Sequence, residues 1–302
     1  MESKWLEDFL SLVETRNFSR SAQARHISQP AFSRRIRSLE SWLGVDLVDR
    51  TTYPMRLTEA GEAFRARAQE LLAAIHAARA DALGQQHLKS DTVRFALPHT
   101  LALAFFPKWL ARIEQGFGQV DSRLIATNVH DAVMALVEGA CDLLICYHHP
   151  QQPVQLDPGL YEHVRLGSER LAPYAISDAQ GQPRFSLPGT AQQPQPYLAY
   201  APNAYLARMV EVILEHAPQR AFLAKRYETD MAEGLKVMAL EGHGIAFLPD
   251  SAVVRETAQK ALASAGPKAY SLEMEVRIYR TRASRSPYLE RLWTHVLAQG
   301  ED

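Results

Sequence analysis

The sequence predicts an α/β chain in two parts: a basic, helical N-terminal module, and a larger module in which strands and amphipathic helices alternate. Two observations carry that expectation. Between Arg16 and Arg37 there are six arginines (16, 20, 25, 34, 35 and 37) and no aspartate or glutamate, in a chain whose formal net charge is only −1. Charge placed in this way is the footprint of a phosphate-backbone binder. From Asp91 onward, short apolar runs are separated by stretches with helical spacing, which implies parallel βαβ units.

Taken in order, Trp5, Phe9, Leu12 and Val13 fall on one face of a first helix. Residues 17–37 then predict two short helices around a tight turn. Ser28 is a natural N-cap and Pro30 sits in the first turn, where its missing N–H costs nothing, so the second of these helices starts near Gln29. Phe32, Ile36 and Leu39 form its apolar stripe. The opposite face holds Gln29, Ser33 and Arg37, with Ser28, Pro30 and Arg34 beside them. Glutamine can pair bidentately with adenine and arginine with guanine, while serine reaches bases or backbone oxygens, so this face is a candidate reader of double-stranded DNA. An ordinary amphipathic surface helix is the alternative. Gly44 is placed to end the helix, and 46–58 predicts a short two-stranded wing with Pro54 near its tip and Arg50 and Arg56 available for backbone contacts.

Thr58 is a plausible N-cap for a long helix running to about Leu83, with Glu59 and Glu62 in its first turn. Phe64, Ala68, Leu71, Ile75, Ala78 and Ala82 recur in heptad-like fashion, a seam that predicts self-association over packing within one small domain. The polar stretch 84–91 is a hinge. Beyond it, 92–98, 122–129 and 141–147 are predicted strands with helices at 101–115 and 130–139. A second set runs from about Glu169 through 197–201, a helix 205–216, a strand near 222–227, a helix 231–241 and a strand 244–249. The closing strand 274–280 and helix 287–297 are expected to return to the first lobe. The division is thus 1–58, 59–90 and 91–302.

Three blocks, SQPAFSRRIRSLE (28–40), LGVDLVDR (43–50) and RLTEAGEAF (56–64), agree in order and spacing with the LysR-type transcriptional regulators, which the chain resembles. Arg25 stands where that family usually places leucine, and Val48 where phenylalanine is common. The stretches 133–145 and 235–249 resemble the family's helix-to-strand corners. The resemblance implies an α/β architecture, an N-terminal winged helix-turn-helix plus a two-lobed, periplasmic-binding-protein-like effector domain. It also implies dimerisation through the linker helix, association to a tetramer, and a small effector. Within the family, KWLEDFLSLVETRNFS, the wing and PNAYLARM (202–209) are most similar to hypochlorite-responsive members, which implies an oxidant as signal. A small organic acid or aromatic metabolite remains the alternative.

A ligand in such a domain belongs between the lobes, outside the carboxyl ends of the strands. Candidates there are His99, Thr100, Thr127, Asn128, Tyr147, His148, Asn203, Tyr205, Thr229 and Met231, with Thr100 favoured by the resemblance. An oxidant needs accessible sulfur, for which Met209, Met231, Met238 and Cys146 are the candidates. Each also reads as a core residue or a residue serving its own turn, Met231 and Met238 as an i, i+7 pair of one helix.

The remaining classes are weaker. His148-His149 near Cys146 suggests a metal, but adjacent residues on a strand point to opposite faces and no further ligand spacing is present. No G-x-S-x-G or other catalytic signature occurs, so neither enzyme nor cofactor is expected. Composition is that of an ordinary globular protein, 47% hydrophobic and 22% charged over 302 residues. Glu2, Glu7 and Asp8 are wrong for a secretory signal and no apolar run approaches ~20 residues, which predicts a cytoplasmic protein and argues against an exported solute-binding protein.

Overall fold

The computed structural model describes residues 2–50, 55–82, 92–202, 204–282 and 286–299. The chain divides into two compact units, residues 1–90 with 134–140, and residues 91–133 with 141–302.

In the first unit, α1 (Ser3–Thr15), α2 (Phe18–Ala24) and α3 (Gln29–Leu43) pack around Leu6, Phe9, Leu12, Phe32, Ile36 and Leu39, all fully buried. Asn17 caps α2, its Oδ1 accepting the Ser19 and Arg20 amides at 3.0 and 3.1 Å. Ser28 holds the N-cap position of α3 without a side-chain bond, and Gly44, at φ 77°, closes that helix as anticipated. A two-stranded antiparallel wing follows, β1 (Val48–Asp49) with β2 (Arg56–Leu57). Pro54, expected at its tip, lies outside the described residues, as do Leu83 and the expected hinge. The long helix α4 (Glu59–Ala82) starts at the Thr58 cap, whose hydroxyl accepts the Gly61 amide at 3.0 Å.

The expected seam of α4 is split. Phe64 meets Phe9 with ring centroids 5.6 Å apart, and Ala68 and Leu72 are fully buried. A residue every fourth position drifts around the helix, so this row turns toward α1. Leu71 and Ile75, on a neighbouring row, are 43% and 41% exposed.

The second unit carries a nine-stranded sheet whose order is β4-β3-β5-β11-β6-β9-β7-β8, with β10 on β6. At one end β3 (Val93–Pro98) lies parallel to β4 (Ser122–Thr127) and β5 (Leu143–His148). At the other, β7 (Gln195–Tyr200) lies parallel to β8 (Leu223–Thr229) and β9 (Ile245–Pro249). These are the two lobes. They are joined by two long antiparallel strands, β6 (Tyr161–Ile176) and β11 (Leu272–Thr281), so the expectation of parallel units holds within each lobe and fails at the join. β11 pairs with β5, returning the chain to the first lobe as expected.

The predicted helix 101–115 is two helices, α5 (His99–Ala104) and α6 (Phe106–Phe117), broken at Phe105, which precedes Pro107 by two residues. The others are α7 (Val129–Val137), α8 (Tyr205–His216), α9 (Ala232–Leu240), α10 (Asp250–Ala258) and α11 (Pro287–Gln299). α10 and the short β10 (Leu262–Ser264) were not anticipated, because 250–264 mixes polar and small residues with no sustained period.

Candidate DNA interface and effector site

On α3 the stripe Phe32, Ile36 and Leu39 is fully buried, which turns Gln29, Pro30, Arg34 and Arg37 outward and leaves Ser33 half-buried between them. Ser28 precedes them, also exposed. The structure thus brings the predicted recognition face together on one side of one helix.

The charge of this region is less one-sided than the sequence suggests. Arg25 pairs with Glu7 and with the fully buried Asp8, the latter at 3.0 Å, and Arg35 reaches Asp8 at 3.2 Å. Two of the six arginines therefore bind α2 and α3 to α1. Arg25 fills a position where the family's leucine would pack, and supplies the same helix-to-helix contact through charge. Among the described residues, Arg16, Arg20, Arg34, Arg37 and Arg56 make no ion pair. Arg50 is committed differently from the expectation. Its Nη2 sits 2.5 Å from Oε2 of the buried Glu40, whose Oε1 accepts the Leu47 and Val48 amides at 3.0 and 3.2 Å. Glu40, which the sequence did not flag, clamps the wing to the recognition helix.

In the second unit α10 packs on α5 and on α9, α9 packs on β7, and the start of α8 meets the end of β5. Tyr147, the penultimate residue of β5, stacks on Tyr205, the first of α8, with centroids 6.1 Å apart and planes at 22°. Tyr147 and Tyr200 are 1% and 4% exposed, and neither phenol has a hydrogen-bond partner among the described residues. Both lie in the electrostatic field of Glu233, in the first turn of α9, and Tyr147 also in that of Glu169 on β6. Glu169 is buried and accepts the Ser251 amide at 3.0 Å. Burial lifts its carboxyl above the usual range, and burial does the same to Glu233, opposed there by Lys236 and His99. Thr100 is buried beside His99 at the start of α5. Glu169, Tyr200 and Glu233 were missed, although Tyr200 ends a predicted strand and could have been found by that rule.

Other candidates stand apart. Thr127 and Asn128 bond Asp131 and cap α7, the Asn128 Oδ1 accepting the Asp131 amide at 2.8 Å, and the Thr229 hydroxyl accepts the Met231 amide at 3.4 Å. These are local turn bonds, the usual work of Asn and Thr. His148 lies on the opposite face of β5 from Tyr147, near Arg277, Glu275 and His163, where burial lowers its pKa. Asn203 lies outside the described residues. Of the sulfur candidates, Met209 is fully buried on α8, Met238 is half-buried against the core, and Cys146 is fully buried with its thiol pKa pushed up by burial. A closed, protonated sulfur is a poor target for an oxidant. Met231 alone of these is open, at 41% exposure. It stands before α9 as its N-cap, in extended conformation, so it forms no helical pair with Met238.

Comparison with known proteins decides the family. The model for bacterial regulatory helix-turn-helix proteins of the lysR family matches residues 3–62, and that for the LysR substrate binding domain matches residues 86–301. The chain belongs to the LysR family. It is accordingly a DNA-binding transcriptional regulator with a helix-turn-helix domain and a two-lobed substrate-binding domain. The HTH-type transcriptional regulator YjiE of Escherichia coli (strain K12) is 33% identical over 293 residues, 97% of this chain and 93% of that one. Among solved structures, Vibrio fischeri DarR, crystallised with DNA, is 34% identical over 100% of this chain and 99% of its own, with a TM-score of 0.62. HypT of Salmonella typhimurium, described as a hypochlorite-specific LysR-type transcriptional regulator, is 31% identical over 99% and 98%, with a TM-score of 0.61. In this LysR-family chain, no helix among the described residues is long and apolar enough to cross a membrane.

Proposed function

We propose that this LysR-family regulator binds double-stranded promoter DNA as a cytoplasmic homo-oligomer and that an event between the lobes of its second unit alters that binding. Residues 1–58 act as the DNA-binding domain, 59–90 as linker helix and hinge, and 91–302 as the effector-binding domain. Gln29, Ser33, Arg34 and Arg37 face the major groove, with Ser28 and Pro30 at its edge and Arg56 on the backbone. Arg50 acts by holding the wing through Glu40. The observation that carries this reading is the outward face of α3 opposite a fully buried stripe. Exposure of Leu71 and Ile75 on α4 supports dimerisation there, and the family likeness supports a dimer of dimers. Footprinting on a promoter fragment recovered by affinity enrichment from genomic DNA tests the reading. A protected, sequence-specific site whose affinity falls steeply with salt is expected, and salt-independent or sequence-blind binding would overturn it.

For the signal, likeness to the hypochlorite-specific HypT supports an oxidant acting at Met231. Oxidation makes its thioether polar at the N-cap of α9. The second reading, a small-molecule effector, is favoured by the two unpartnered phenols and buried Thr100. Thr100→Val should abolish a small-molecule response and leave an oxidant response, while Met231→Leu does the reverse. A footprint altered by hypochlorite equally in the wild type and in Met231→Leu excludes Met231 as the sensor.

A further inference from the structure

Within the effector reading above, on which this inference rests, we propose that the cleft between the lobes takes an organic cation. A small amine or quaternary ammonium compound would be held by the Glu233 carboxylate with the phenols of Tyr147 and Tyr200 around it.

The first support is the pair of phenols. A buried hydroxyl without a partner is unfavourable, and native structures keep few of them. Here Tyr147, near the end of β5, and Tyr200, at the end of β7, come from different lobes and share Glu233 as an electrostatic neighbour, and the hydroxyl of Tyr205, stacked on Tyr147, is likewise without a partner among the described residues. Glu233 itself makes no hydrogen bond or ion pair among the described residues, and it is only half-buried, so a ligand can reach it.

Charge selects the ligand's sign. The carboxylates facing this region are Glu233 and Glu169, with Glu273 adding to the field of Glu169, while Glu256 and Asp250 are paired with Lys236 and Arg170. Of the cations, Lys236 is held by the Ala252 carbonyl at 2.9 Å and by Glu256 at 3.5 Å, and Arg170 by Asp250 at 2.8 Å. His99, the first residue of α5, also faces Glu233. An organic acid would add charge of the sign already in excess. A cation would offset it and let Glu233 ionise despite its burial. Tyrosine rings beside a carboxylate suit an ammonium group through the negative faces of the rings. The start of α5, the competing anion site, belongs to a helix of six residues and carries little dipole.

Calorimetry on the full-length chain tests this independently of DNA. Cadaverine, choline and agmatine are compared with glutarate and benzoate, acids of similar size. At least one amine should bind in the micromolar to millimolar range and neither acid should. Glu233→Gln should weaken the amine tenfold or more, and affinity in the wild type should rise with pH as Glu233 loses its proton. Tyr147→Phe removes only a hydroxyl and should weaken binding less. Silence from all three amines, binding of an acid in their place, or an amine affinity unchanged by Glu233→Gln would overturn the cation. Footprints that respond to an acid or to hypochlorite while amines are silent leave the regulator reading standing. Absence of any specific footprint defeats that reading, whatever calorimetry shows of the cation.

Discussion

Replacing Glu40 by alanine should detach the wing from the recognition helix. The carboxylate is buried, and it accepts two amides, Leu47 at 3.0 Å and Val48 at 3.2 Å, while Arg50 closes on its other oxygen at 2.5 Å. Leu47 and Val48 are themselves buried, so water replaces the lost acceptor poorly. Two orphaned amides cost ~1–3 kcal/mol each. The Arg50 pair adds under ~1 kcal/mol, because that side chain is more than a third exposed. The sum is about 4 kcal/mol, roughly a thousandfold in an equilibrium constant. Glu40→Gln keeps an acceptor oxygen for both amides, which share Oε1, and loses chiefly the Arg50 pair, so it should cost only about 1 kcal/mol. Hydrogen exchange of the peptide spanning 45–50 is the direct assay, with denaturation followed through Trp42 fluorescence beside it. Exchange at the Leu47 and Val48 amides should accelerate, the denaturation midpoint should fall, and promoter affinity should drop as Arg56 loses its position. Unchanged exchange at those two amides in Glu40→Ala would refute the clamp.

Arg34→Ala should cost ~1–3 kcal/mol of promoter binding and relax base preference if it reads a base; undiminished specific binding in a gel-shift titration removes it from the interface. Arginine at both Leu71 and Ile75 would place unpaired charge in the proposed dimer seam, several kcal/mol unfavourable, and sedimentation should show smaller species; a wild-type chain that sediments as a monomer at micromolar concentration defeats the seam. Gly61→Ala should lower the melting temperature by ~2–4 kcal/mol worth of stability, although alanine is the better helix former, because its Cβ would sit 2.1 Å from the Leu47 carbonyl oxygen. Burial raises the Glu169 carboxyl above its unfolded value, so the folded chain holds that proton longer and stability declines as pH rises through the raised range; Glu169→Gln should flatten that decline in pH-dependent melting, and an identical slope in both proteins argues that the carboxyl is not shifted.

Much of this architecture was legible because short-range rules act alone at the sites concerned. Ser28, Pro30 and Gly44 bound a helix by backbone chemistry that no distant residue needs to supply, and the α3 stripe follows from period alone. The join between lobes was not legible. β6 runs for sixteen residues, yet its opening stretch carries Glu162, His163, Arg165 and Glu169, polar groups that hid a strand whose partner there, β11, arrives from more than a hundred residues away. The seam of α4 divided between a covered and an open row for a related reason. A heptad pattern states which residues share a face, and the body of α1 decides which of two adjacent faces is already covered. Arg25 and Arg35 were counted as free charge because Glu7 and Asp8 lie outside the window that made the segment look basic.

That last misreading bears on function, because the total charge of the chain, −1, conceals two opposed local fields. The recognition helix keeps its outward arginines free by assigning Asp8 and Glu40 to Arg25, Arg35 and Arg50, so the acids nearest the DNA face are neutralised within the fold. The cleft does the reverse, tying Lys236 and Arg170 to neighbours and leaving Glu233 without a hydrogen bond or ion pair among the described residues. Charges farther apart than ~8 Å are screened at physiological salt, so what docks on a patch senses its nearest charges and not the average of the chain. On the proposed reading, a polyanion at the recognition face and a cation in the cleft would each meet a field of opposite sign, whatever the near-zero total charge of the chain.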